Sequence, residues 1–233
     1  YSVNDKKDTW SILASGTDGR GDFIIALYYT RNENNITLLK NAEDRFNYLL
    51  GPGVKARWPG EIKTDLCGEM PELYLPIVEK GIEAWDEEDL AVAPNNKIGD
   101  APYSFQVVDK FKPFSDVNQN CVQVVDDFFF EDSEEYVVGG LTLPVINKTT
   151  REIKASHVFI SRAGIKKFGV PEDRGRIYRI AAHEYGHYLG LDHEFEKDEF
   201  GSGYKYPSIM GYDSDIRELT DHDREAIKAL YTN

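Results

Sequence analysis

Histidine, cysteine and methionine are scarce in this chain: of 233 residues, five are histidine, two cysteine and two methionine. Two cysteines exclude a scaffold held together by several disulfides, so a buried apolar core must supply the stability, and the chain is long enough to build one. They can close one disulfide in an oxidising compartment or stand as two thiols in a reducing one, and the count leaves both open. Basic residues are also few, 27 Lys and Arg against 41 Asp and Glu, for a formal charge of −14. Such a surface repels phosphate backbones and anionic lipid, so nucleic acid is not an expected partner. The longest apolar run, FIIALYY at residues 23–29, falls far short of the ~18 residues of a membrane span, and no charged-then-apolar leader opens the chain. A mature, soluble form is expected. Internal repeats and low-complexity tracts are lacking too, and Gly and Pro are scattered as punctuation.

What is present alternates between helical and strand-like periods. Residues 1–53 read as an N-terminal extension, with a strand in DFIIALYY and a helix in ITLLKNAEDRFNYLLG stopped by Gly51-Pro52-Gly53. VKARWP at residues 54–59 reads as a strand, and LPIVEKGIEAWDEE as an amphipathic helix with Ile77, Gly81, Ala84 and Trp85 at helical spacing. YSFQVVD, CVQVVDDFFF, YVVGGLTLPV and IKASHVFIS are short β-rich runs. PEDRGRIYRIAAHEYGHYLG returns to helical spacing, with Pro171 near a first turn and Gly190 placed for a left-handed cap. LTDHDREAIKALY is a last helix with Thr220 as N-cap and Asp223 three residues on. A sheet followed by two helices, with one helix before its last strands, is an α+β pattern.

The few histidines are clustered. AAHEYGHYLGLDHEF, residues 181–195, holds His183, His187 and His193. On a helix, His183 and His187 leave the same face one turn apart, close enough to hold one metal ion at ~2.0–2.1 Å per nitrogen. Gly190 can end that helix and turn the chain so that His193 swings back to the same ion. Three protein ligands leave a fourth position for water, whose pKa zinc lowers to about 7, and Glu184 beside the first ligand can take its proton as general base. A bare pair of histidines four apart is as readily a core or surface feature. Three histidines, a glutamate and a glycine fixed over eleven positions are not. His157 and His222 lack metal-site spacing and read as structural.

HEYGHYLGLDH resembles the HExxHxxGxxH signature of the metzincin clan of zinc endopeptidases, and SIMGY at residues 208–212 resembles its Met-turn. LTDHDREAIKALY is similar to the last catalytic-domain helix of matrixins, and LPIVEKGIEAW to the clan's first helix. The resemblance covers residues 54–233. It implies a twisted mixed sheet over an active-site helix with a C-terminal helical subdomain, zinc held by His183, His187 and His193, and Met210 as a hydrophobic floor under the metal. It also implies an oxyanion-side role for Tyr212, by likeness to the turn of astacins and serralysins. Glu194 matches an astacin position whose glutamate meets the mature N-terminus, but the short loop from His193 to Met210 and the few cysteines depart from that subfamily, and a surface glutamate is expected. CGEMP at residues 67–71 is similar to the thiol switch of matrixin pro-segments, yet its place before the first catalytic helix favours a Cys67–Cys121 disulfide instead.

The remaining features point to blander roles. DEED at residues 86–89 and EDSEE at 131–135 raise calcium as a second metal, but lack the regular ligand spacing of a known loop and read as solvated faces. Arg20-Gly21-Asp22 reads as a polar turn rather than an adhesion motif. Sequons at Asn35 and Asn147 bear on glycosylation only in a secretory pathway. The expectation is a secreted, monomeric zinc endopeptidase that pairs an extended protein or peptide substrate with the edge strand VGGLTLPV, residues 138–145. The alternatives are a zinc hydrolase of non-peptide amides and a non-catalytic zinc-containing binding protein, the latter disfavoured by an intact Glu184.

Overall fold

The structure, a computed structural model, describes residues 9–18, 21–30, 46–50, 54–60, 62–68, 70–86, 94–98, 120–126, 139–166, 173–194, 205–211 and 216–232. Among the described residues seven strands form one sheet in the order β1-β2-β6-β7-β5-β3-β4. They are β1 Thr9–Asp18, β2 Gly21–Thr30, β3 Ile62–Cys67, β4 Pro94–Ile98, β5 Cys121–Val125, β6 Gly140–Asn147 and β7 Ile153–Ser161. The β7, β5, β3 and β4 half is parallel, whereas β6, β2 and β1 run antiparallel to their neighbours. Helices α1 Leu75–Glu83, α2 Arg162–Lys166, α3 Arg174–Leu189 and α4 Asp221–Tyr231 complete the α+β fold.

IKASHVFIS becomes β7 with only Lys154 exposed, because β7 is central and buried on both faces, where a near-continuous apolar run is needed. Against the sheet lies α3, in contact with α1, β6 and β7. From Ile180 to Leu189 every residue of α3 is buried, so its polar side chains sit inside the molecule. Tyr185 and Tyr188 stack, and both hydroxyls meet Thr64 Oγ1 of β3, at 2.8 and 3.1 Å. Helix α1 crosses α3 at Gly81, where a Cβ would stand 2.8 Å from Ala181 Cβ.

The end of α3 leaves no carbonyl wanting. Leu191 N donates to Gly186 O and Gly190 N to His187 O, a Schellman pair around Gly190 at φ 115°. Trp58 Nε1 donates to Tyr188 O at 2.9 Å and the Tyr231 hydroxyl to Leu189 O at 2.8 Å. At the other end Asp173 caps α3 through Gly175 N, while Thr220 and Asp223 form the capping box of α4.

Several expectations are corrected. VKARWP is not a strand: Arg57 makes one isolated bridge to Glu152, Pro59 lacks a donor to continue it, and the strand expected there lies at β3. The tail of the expected helix over 36–51 is instead a turn with Tyr48 bridged to Leu191, because its backbone pairs with the chain after α3. β4 (PNNKI) and α2 were not foreseen. YSFQVVD lies outside the described residues, as does Pro171. β6 is not an edge throughout, since Val145–Asn147 pair with β2. That ladder stops at Pro144, which has no N–H to give.

Cys67 and Cys121 form a buried disulfide between β3 and β5, so Cys67 has no thiol to offer as a switch. The two lie 54 residues apart. In the chain-entropy account, replacing both with alanine is expected to lower stability by about 4 kcal/mol, seen as a lower thermal midpoint. An unchanged midpoint would show that the bridge constrains nothing in the unfolded chain.

Candidate metal centre

Helix α3 and the turn that follows it deliver three imidazoles to one point. The donor atoms of His183, His187 and His193 all lie within 4.8 Å of one another, and His187 Nε2 is 3.2 Å from His193 Nε2. Tetrahedral ligands at ~2.0–2.1 Å from one ion stand ~3.3 Å apart, so the spacing fits a zinc-sized site.

The chemistry of the donors fits as well. His183 Nδ1 lies 2.7 Å from Ile209 O and His187 Nδ1 lies 2.8 Å from Leu191 O. A carbonyl only accepts, so each Nδ1 carries the proton and each Nε2 keeps its lone pair for a metal. Burial drives all three pKa values down, His187 to about 4 and the other two well below the ordinary value, and repulsion from neighbouring imidazoles adds to the shift of His183 and His193 alone. Three neutral imidazoles able to hold a metal therefore converge at neutral pH.

Glu184 is buried beside them and its carboxyl is pushed up to about 7 by burial, against the opposing hydrogen bond of Thr142. Thr142 Oγ1 of β6 lies 2.7 Å from Glu184 Oε2 and 2.9 Å from Glu184 O, with one proton to serve either. Gly140, also on β6, makes room: a Cβ there would stand 2.4 Å from Glu184 Cγ and 2.6 Å from Oε1. Neither residue was singled out from sequence, although a glycine inside a strand candidate marks a close approach.

The turn at residues 207–211 packs on α3 through Met210, whose Sδ would lie 2.3 Å from a Cβ on Gly186, between the two helical histidines. Arg179 of α3 braces that turn, its guanidinium donating to Gly211 O and Ile216 O. Asp223 of α4 holds the turn's other side, accepting from the Ser208 hydroxyl and from Ile209 N. Tyr212 lies outside the described residues.

A family model for matrixins (Peptidase M10) matches residues 85–232, more than half of the chain. The chain belongs to the matrixin family. It is thus a zinc metalloendopeptidase, and its substrates are peptides or proteins. Solved structures similar to this matrixin include myroilysin, at 14% identity and a TM-score of 0.42 over 76% of this chain and 96% of that one. Another is high choriolytic enzyme 1, a hatching enzyme zinc-protease of the medaka fish Oryzias latipes, at 15% identity and a TM-score of 0.38 over 76% and 94%. No curated protein matches it.

One expectation changes at this matrixin's site. Glu194 is not on the surface: it is 3% exposed, held by His222 Nε2 at 3.3 Å and Asn47 Nδ2 at 3.4 Å. His222 is buried with it, stacked on Tyr206. Among the described residues the histidine trio is the one cluster able to hold a metal, and no helix there is long and apolar enough to cross a membrane. Of the two acidic stretches only Asp86 is described, and it is exposed.

Gly140→Ala tests the closeness of β6 to Glu184. The displaced atoms are those of the Glu184 side chain from Cγ outward, with no backbone among them, so the carboxyl group must move while the strand stays in place. A misplacement of about 1 Å can cost ~10²-fold in rate, so proteolysis is expected to fall by at least about tenfold with thermal midpoint and metal content unchanged. Wild-type turnover would show that Glu184 does not need this approach.

Proposed function

We propose that the chain is a secreted, monomeric endopeptidase that hydrolyses peptide bonds in extended segments of protein substrates, with zinc held by His183, His187 and His193 and Glu184 as general base and acid. The observation that carries this is the convergence of three imidazoles, two of them buried with their Nδ1 protons held by backbone carbonyls, beside a buried carboxyl group. When bound, zinc supplies Lewis acidity to a water and to the scissile carbonyl.

Glu184 takes a proton from the attacking water and gives it to the leaving amine, so that water and amide become carboxylic acid and amine. A carboxyl pushed up to about 7 suits both halves of that exchange, since a proton carrier works best with a pKa near the working pH. Thr142 and Gly140 hold the carboxylate in place from the strand side. The same strand offers Gly140–Pro144, which have no partner on the far side from β7 among the described residues, as a template for an extended substrate. Met210 serves as the apolar floor, and Tyr212 as a donor to the developing oxyanion. The disulfide favours an oxidising compartment, and all three ligands come from one chain, so one copy completes the site.

Glu184→Gln should keep stoichiometric zinc and lose ~10²–10⁴-fold or more in kcat, because the ligands remain and the proton carrier does not. A chelator should abolish wild-type digestion of an unfolded protein and added zinc should restore it. Digestion that survives metal removal would end this reading.

Tyr212→Phe keeps the ring and removes only the hydroxyl. By analogy with other oxyanion donors, kcat should fall ~10²-fold with zinc content unchanged. A kcat/KM within about twofold of wild type would return Tyr212 to a packing role.

A further inference from the structure

Helix α3 ends at Gly190, so helical geometry fixes His183 and His187 but not His193. What fixes the third ligand is a strand-like contact with a segment 146 residues upstream. Leu49 N donates to Gly190 O at 3.1 Å, Asp192 N donates to Asn47 O at 3.1 Å, and Tyr48 bridges Leu191 between them. The Asn47 side chain finishes the contact: Nδ2 donates to His193 O at 2.9 Å and lies 3.4 Å from Glu194 Oε2. Both neighbours are acceptors, so only the amide nitrogen can face them. Asn47 is 6% exposed, too buried for water to replace those bonds. Glu194 is tied in turn to His222, and Glu194 N donates to Met210 O at 3.2 Å.

We propose that Asn47 is a positioning residue for the third metal ligand, and that residues 46–50 form an internal brace without which His193 is not held at the metal. The proposal rests on reading His183, His187 and His193 as the zinc ligands. It moves the functional unit upstream of residue 54, since the brace lies within the stretch that reads from sequence as an extension. The brace acts through the backbone of residues 190–194 and touches no substrate.

The test measures zinc affinity of the full-length protein by competition with a chromogenic chelator, beside the thermal midpoint of the metal-free form. Asn47→Asp keeps the shape and replaces the donor with an acceptor, and Asn47→Ala removes the group. Leu66→Ala, in the core at β3, supplies a stability loss at a residue that is neither in the trio nor in the brace. Loss of an outer partner of a metal ligand typically weakens binding ~10–100-fold, so both Asn47 variants should show zinc Kd raised by about tenfold or more. Leu66→Ala should show a lower midpoint and wild-type Kd. Should one Asn47 variant not fold, the other decides. Wild-type zinc Kd, within twofold, in a folded Asn47 variant would overturn the brace, as would a Kd in Leu66→Ala raised as far as in the Asn47 variants. Failure of the underlying reading is distinct: His193→Ala would then hold zinc as tightly as wild type.

Discussion

Two imidazoles and a carboxylate on the inner face of one helix, with a third imidazole brought back by the turn that follows, are costly to enclose, and each needs a partner that leaves its reactive atom free. Much of the surrounding fold meets that demand. Ile209 O and Leu191 O take the Nδ1 protons of His183 and His187, and Thr142 meets Glu184. Each partner is itself held: Ile209 through Asp223 of α4, Leu191 through the bridge to Tyr48, and Thr142 by the pairing of β6 with β7. The capping box of the last helix thus reaches the candidate metal centre, since Asp223 caps α4 and anchors the turn whose carbonyl orients His183.

The strongly periodic, well-capped elements were legible. Helices α1, α3 and α4 and strand β7 stand where spacing, Gly190, Thr220 and Asp223 placed them, because those signals are local. β4 was not legible, because Pro and two Asn are poor strand formers and only pairing with β3 makes the segment extended. VKARWP misled in the opposite direction: its composition is strand-like, but Pro59 and Gly60 break it and only Arg57 finds a backbone partner in β7's approach.

At the site, the histidine trio and Glu184 were readable because their spacing is set by one helix and one turn. Thr142 and Asn47 were not, since each acts across 42 and 146 residues and nothing near it in sequence marks the contact. Glu194 shows the same limit from the other side. A glutamate after a loop turn is ordinarily solvated, and only the arrival of Asn47 and His222 makes its burial tolerable.

The half-covered strand β6 has a bearing on solubility. A row of unpaired backbone groups invites a second copy to dock edge to edge, which long exposed strands do readily. Among the described residues the open stretch is five residues, Gly140–Pro144, closed at one end by a proline and beyond it by the β1–β2 hairpin. It is long enough for a short extended peptide to gain a few main-chain hydrogen bonds and too short for two folded copies to build a ladder. The cover that shortens the edge therefore keeps it accessible to small guests while discouraging fibre-like growth.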